Sequence, residues 1–107
     1  MQKNFRTHEL AVRFYHVTRT LKLPSHLRQQ LLKASSSVAL NLAEGSPKQS
    51  PADKRRFYEI ALGSLRESQS VLELAWNQNA EAKSLADSLG AHLYRLIQSI
   101  DRQRLDR

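Results

Sequence analysis

The chain reads as an all-α protein, an up-down-up-down antiparallel four-helix bundle, and three observations lead there. Apolar residues recur at spacings of three and four in four separate segments, the period of a helix with one buried face. Glycine and proline number only three each, and the prolines all fall between residues 24 and 51, so long stretches are left unpunctuated. No alternating strand pattern and no Asn-Gly hairpin signal interrupts them. With 107 residues, 40% hydrophobic and 25% charged, the chain should form one domain with a modest core.

The first helix is predicted from Thr7 to about Leu21. Thr7 is a candidate N-cap, and Glu9 would place a negative charge in the first turn. Leu10, Phe14, Val17 and Leu21 make its apolar stripe, and "LKLPS" ends it, because a residue before proline avoids helical geometry. The second helix is predicted from Pro24 or Ser25 to Glu44, with Leu27, Leu31, Ala34, Val38 and Leu42 facing the core. Gly45 is expected as a left-handed stop. The run "ASSSVA" inside it is unusual, since serine competes for the backbone, and its small side chains would let a neighbouring helix approach closely.

"SPKQSPAD" is the one substantial loop. Ser50 as N-cap, Pro51 at the first helical position and Asp53 in the first turn start the third helix, which is predicted to run to about Asn77. Phe57, Ala61, Ser64, Ser68, Leu72 and Ala75 line one side. Ile60, Gly63, Glu67, Val71 and Leu74 lie beside them, which widens the apolar surface beyond one neighbour's need and suggests contact with several helices, including another subunit. Asn79 caps the fourth helix, predicted over 80–104 with Leu85, Leu89, Leu93, Leu96 and Ile100 as its stripe. The tail "DRQRLDR" is expected to fray.

Composition removes several kinds of chemistry. There is no cysteine, so disulfides, thiol catalysis and thiolate metal sites are excluded. No h-region follows "MQKNFRTHEL", and no apolar run approaches the ~18 residues that span a bilayer; no membrane role is indicated and a cytoplasmic location is the default. No metal is indicated either. His8 and His16 stand two turns apart, and Glu44, Glu59, Glu67 and Glu73 are never followed by histidine three residues on. His8, His16, His26 and His92 are expected as solvated or edge-packed imidazoles. No cofactor is expected: "AEGSPKQS" lacks the Gly-Lys-Ser/Thr ending of a phosphate cradle. Nor does any Ser/His/Asp spacing support a nucleophile. The chain is therefore read as non-enzymatic.

Charge is the stronger lead. The formal net charge is +7. Residues 1–56 hold 11 Lys/Arg against three acids, +8, whereas residues 57–107 hold six against seven, −1. Such asymmetry gives an electropositive face that attracts phosphate backbones or acidic proteins, though a solvated basic surface would look the same. The candidate RNA- or DNA-binding residues are Lys48, Lys54, Arg55 and Arg56 around the loop, with Arg13 and Arg19, and also Arg6, along the first helix. They would supply salt-dependent affinity without sequence specificity. Asn41, Glu44, Ser64 and Glu67 form a second candidate group, a polar cluster beside the apolar stripes. A buried carboxylate needs a cation, and Arg55 or Arg56 could serve Glu44. A polar layer fixing helix register is the preferred reading over a catalytic one.

"NLAEGS" at 41–46 and "RRFYEIALGSLRESQSVLELA" at 55–75 resemble the family of 23S rRNA intervening-sequence proteins. That family shows Asn-Ile-Ala-Glu-Gly, a loop, and then Arg-Phe-x-x-x-Ala-x-Gly-Ser-x-x-Glu. Here the positions are Asn41, Leu42, Ala43, Glu44 and Gly45, then Arg56, Phe57, Ala61, Gly63, Ser64 and Glu67. Ala39 stands where proline is frequent, Ser35 to Ser37 where larger residues are common, and the first helix lacks the tryptophan often found near its start. The resemblance implies a four-helix bundle able to assemble as a homo-oligomer, a homopentameric ring. The accessory proteins of diversity-generating retroelements are similar, and form basic rings that associate with nucleic acid and a reverse transcriptase. The expected function is thus non-specific RNA or DNA binding by a basic homo-oligomeric bundle. The alternative is a protein-interaction scaffold that docks an acidic or polymerase-type partner without touching nucleic acid.

Overall fold

Four helices account for nearly all of the computed structural model, which describes residues 3–105: α1 (Lys3–Thr20), α2 (Ser25–Gly45), α3 (Pro51–Leu74) and α4 (Ala80–Leu105). No strand occurs among the described residues. Each helix packs on its neighbours in sequence, α4 closes back on α1, and among the described residues the backbones of neither diagonal pair approach closely. That is the neighbour pattern of an up-down-up-down bundle, 48 Å long and 21 by 20 Å across.

The core follows the helical stripes. Leu10, Phe14 and Leu21 of α1 and the turn after it are buried with Leu31, Val38 and Leu42 of α2. Tyr58, Ala61, Leu65, Val71 and Leu72 of α3 meet Leu85, Leu89, Leu93 and Ile100 of α4. The phase of α3 differs by one residue from the prediction at its start. Tyr58 enters the core at 2% exposure while Phe57 stays half-buried, because Phe57 faces the α2–α3 seam, where Gly45 leaves room for it.

Several ends also differ. α1 begins four residues before Thr7, which is buried inside the helix and does not cap it. Gly45 remains helical, and no glycine among the described residues has positive φ. Its role is close approach: a Cβ there would lie 2.7 Å from Phe57 Cβ and 3.2 Å from the Tyr58 ring. α3 starts as predicted, with Ser50 Oγ accepting from the Asp53 amide at 3.3 Å and Pro51 in the first turn. It ends at Leu74, however, three residues early. The Asn77 amide donates to the Leu72 carbonyl and the Trp76 amide to the Glu73 carbonyl, both at 3.0 Å. These two bonds form a Schellman turn, with Trp76 at φ 54° in the left-handed position usually given to glycine. At α4, Asn79 Oδ1 accepts from the Ala82 amide at 2.8 Å. The helix runs through Leu105, so the expected fraying does not begin at residue 101; Asp106 and Arg107 lie outside the described residues.

Candidate nucleic-acid interface

The turn between α2 and α3 carries the predicted basic cluster because the capping sequence "SPAD" is followed at once by Lys54, Arg55 and Arg56. The four cations there are held very differently. Lys48 Nζ lies 3.7 Å from Glu44 and 5.5 Å from the Phe57 ring centre. Lys54 Nζ donates to the Ser46 carbonyl at 3.0 Å, closing the end of α2. Arg56 is exposed and lies over Phe57, its guanidinium 4.6 Å from the ring centre.

Arg55 grips two carboxylates. Its Nε and Nη2 donate to Asp101 at 2.7 and 3.2 Å, and Nη1 lies 2.7 Å from Glu59. The hydrogen bonds to Asp101, then to Glu59, hold the guanidinium charged above its ordinary range. Reciprocally, the Arg55 hydrogen bond draws the Asp101 carboxyl below the usual range. Arg55 is thus a clamp between the start of α3 and the end of α4, and has the least hydrogen-bonding capacity left for a phosphate.

α1 presents the other candidates. Arg6 and Arg13, two turns apart, are exposed on one side of the helix, and Arg19 is exposed with its guanidinium 5.8 Å from the Tyr15 ring centre. Glu9 is the only acid in α1. His16 packs against Tyr15 edge to face with ring centres 5.7 Å apart. Among the described residues no group of His, Asp and Glu is placed to hold a metal ion.

The polar cluster divides in two. Asn41 Nδ2 donates to the Ser37 carbonyl at 2.9 Å and to Ser37 Oγ at 3.0 Å, and Ser37 shares a 2.7 Å hydrogen bond with Ser64 of α3. Glu44 and Glu67 are exposed and stand apart from it. Glu44 takes Lys48, one turn ahead, in place of the expected Arg55 or Arg56; Arg55 points across to α4 and Arg56 lies on Phe57. A second hydroxyl pair, Thr18 and Ser35 at 3.1 Å, joins α2 to α1. The "SSS" run was its only sequence signal. Every buried side-chain nitrogen or oxygen among the described residues has a partner.

An all-α bundle with a basic turn and hydroxyl seams defines the class: a small helical-bundle protein in which none of the described helices is long and apolar enough to cross a membrane. Within that class the chain belongs to the 23S rRNA-intervening sequence protein family, whose model matches residues 4–102. No curated protein and no solved structure gives a significant match.

Proposed function

We propose that this is a non-enzymatic, cytoplasmic bundle that assembles as a homo-oligomer and binds RNA or DNA without sequence specificity. The observation that carries the reading is α1 itself, where Arg6, Arg13 and Arg19 are exposed and Glu9 is the helix's only acid. Lys48, Lys54 and Arg56 extend the basic character to the α2–α3 turn. Such a surface attracts a phosphate backbone and reads no base. Polarisation measurements with labelled RNA and DNA test it: binding that weakens steeply with salt is expected, and none at low salt refutes it.

Assembly is supported by apolar side chains outside the core. Leu40, Ile60 and Leu74 are 67%, 42% and 68% exposed on α2 and α3. Leu40 follows Ser37 and Ile60 precedes Ser64 by about one turn, so both flank the same interhelical hydrogen bond. Light scattering at micromolar concentration should give a multiple of the 12.3 kDa chain mass; a monomer refutes assembly.

The same apolar residues favour a second reading, a scaffold that docks a protein partner. Reversing the charges of Lys54 and Arg56 while sparing the Arg55 clamp separates the two. Nucleic-acid binding falls under the first reading, and partner capture persists under the second.

A further inference from the structure

We infer that the groove between α1 and α4 is an oxyanion site for a phosphate group, with Arg6 and Arg95 as its cations and His92 as a third donor. The inference rests on the groove itself and does not require the nucleic-acid reading. Arg6 and Thr7 of α1 face His92, Arg95, Leu96 and Ser99 of α4 around a volume of about 460 Å³, a size typical of small-ligand sites. Every polar side chain in that lining can donate a hydrogen bond, and none is a carboxylate.

Neither guanidinium has a carboxylate partner among the described residues. Two such cations lining one groove and both acting on His92 repel each other, and a bound anion would relieve that repulsion. Guanidinium is also the side chain best shaped to grip phosphate in a two-pronged way. The imidazole is fixed from behind: Thr7 Oγ1, on a residue only 1% exposed, lies 3.3 Å from His92 Nδ1. A protonated ring would hold Thr7 through Nδ1 and keep the Nε2 proton for an occupant.

Electrostatics agree with this arrangement. Burial foremost, then the charges of Arg95 on α4 and Arg6 on α1, push the His92 ring below its ordinary value, and no carboxylate opposes them. An oxyanion between the arginines would offset those charges and return a proton to the ring, so its affinity should rise on mild acidification.

The test follows the His92 ring by NMR in the full chain, titrated with inorganic phosphate at ionic strength held constant with chloride. A saturable shift of His92, with its titration midpoint raised and His8, His16 and His26 unmoved, is expected. Arg6→Gln and Arg95→Gln should each weaken the apparent affinity about tenfold, as expected when one charge-assisted hydrogen bond is removed. Arg95→Lys should recover part of it. Both arginines are exposed, so the variants should fold, which their helical melts verify. A second titration with an RNA oligomer lacking terminal phosphate identifies the source. A response there marks a site for backbone phosphate; a response to inorganic phosphate alone marks one for free phosphate or phosphomonoesters, and stands even if nucleic-acid binding fails. The inference is overturned if His92 answers neither probe, if all four histidines move alike, or if the glutamine variants respond as the parent does.

Discussion

Gly45 of α2 and Phe57 of α3 meet so closely that a Cβ on the glycine would stand 2.7 Å from the Cβ of the phenylalanine. The obstructing atom is fixed to the α3 backbone and cannot swing away. Gly45→Ala should therefore force the helices apart at a cost of about 1–3 kcal/mol, offset by about 1 kcal/mol from better helix propensity. A net loss of up to about 2 kcal/mol is expected by chemical denaturation. Gly90→Ala is the control: its Cβ would meet Leu65 at an ordinary 3.6 Å. That variant should gain up to about 1 kcal/mol.

Trp76 occupies the left-handed position of the α3 Schellman turn with 85% of its surface exposed. Left-handed geometry costs a residue with a Cβ about 1–2 kcal/mol, and little buried surface repays it here. Trp76→Gly should raise stability by about 0.5–1 kcal/mol after glycine's greater freedom in the unfolded chain is deducted. An unchanged or lower melting temperature would show that left-handed Trp76 costs this fold no more than glycine's freedom in the unfolded chain.

The Arg55–Asp101 clamp should respond to acid. The Asp101 carboxyl is drawn down by the arginine hydrogen bond, so its unfolded form binds protons more readily than the folded one. The clamp's stabilisation is then present above the ordinary aspartate range and lost as pH falls through the lowered folded value. A double-mutant cycle with Arg55→Gln and Asp101→Asn should show favourable coupling at neutral pH that vanishes in strong acid.

Salt dependence separates the cations that are free from those already engaged. Removing Arg13 or Arg19 should lower the slope of log affinity against log salt by about 0.7–0.9 for each phosphate no longer neutralised. Arg55→Gln should leave that slope nearly unchanged while lowering stability. Equal slopes for all three variants would exclude α1 as the nucleic-acid face.

The periodicity of leucine, isoleucine and alanine is enough to reveal the four helices and most of the buried residues, because burial repeats with the helix. The Ser50–Pro51–Asp53 start is equally legible, since its chemistry is local. Features set by a neighbouring helix are not. A glycine can serve a positive φ or a missing Cβ, and only Phe57 decides between them at Gly45. Glu44 offers a choice between a cation one turn away and one across the α2–α3 turn, and proximity favours Lys48. The early end of α3 is hidden because a tryptophan holds the place where glycine would have announced it. His92 and Arg95 stand one turn apart on α4, but Arg6 is separated from them by most of the chain, so no spacing brings α1 to that pair.

We propose that the two hydroxyl pairs of α2, Ser35 with Thr18 and Ser37 with Ser64, act as detents. Leucine against leucine tolerates sliding, whereas a hydrogen bond holds only within a narrow range of distance. Replacing the three serines with alanine and Thr18 with valine would remove donors and acceptors together, a change that can leave the free energy of folding nearly neutral. What such a bundle would lose is singularity, because α2 could then settle at neighbouring registers of similar energy. On this proposal, leucine supplies the cohesion and serine supplies the uniqueness.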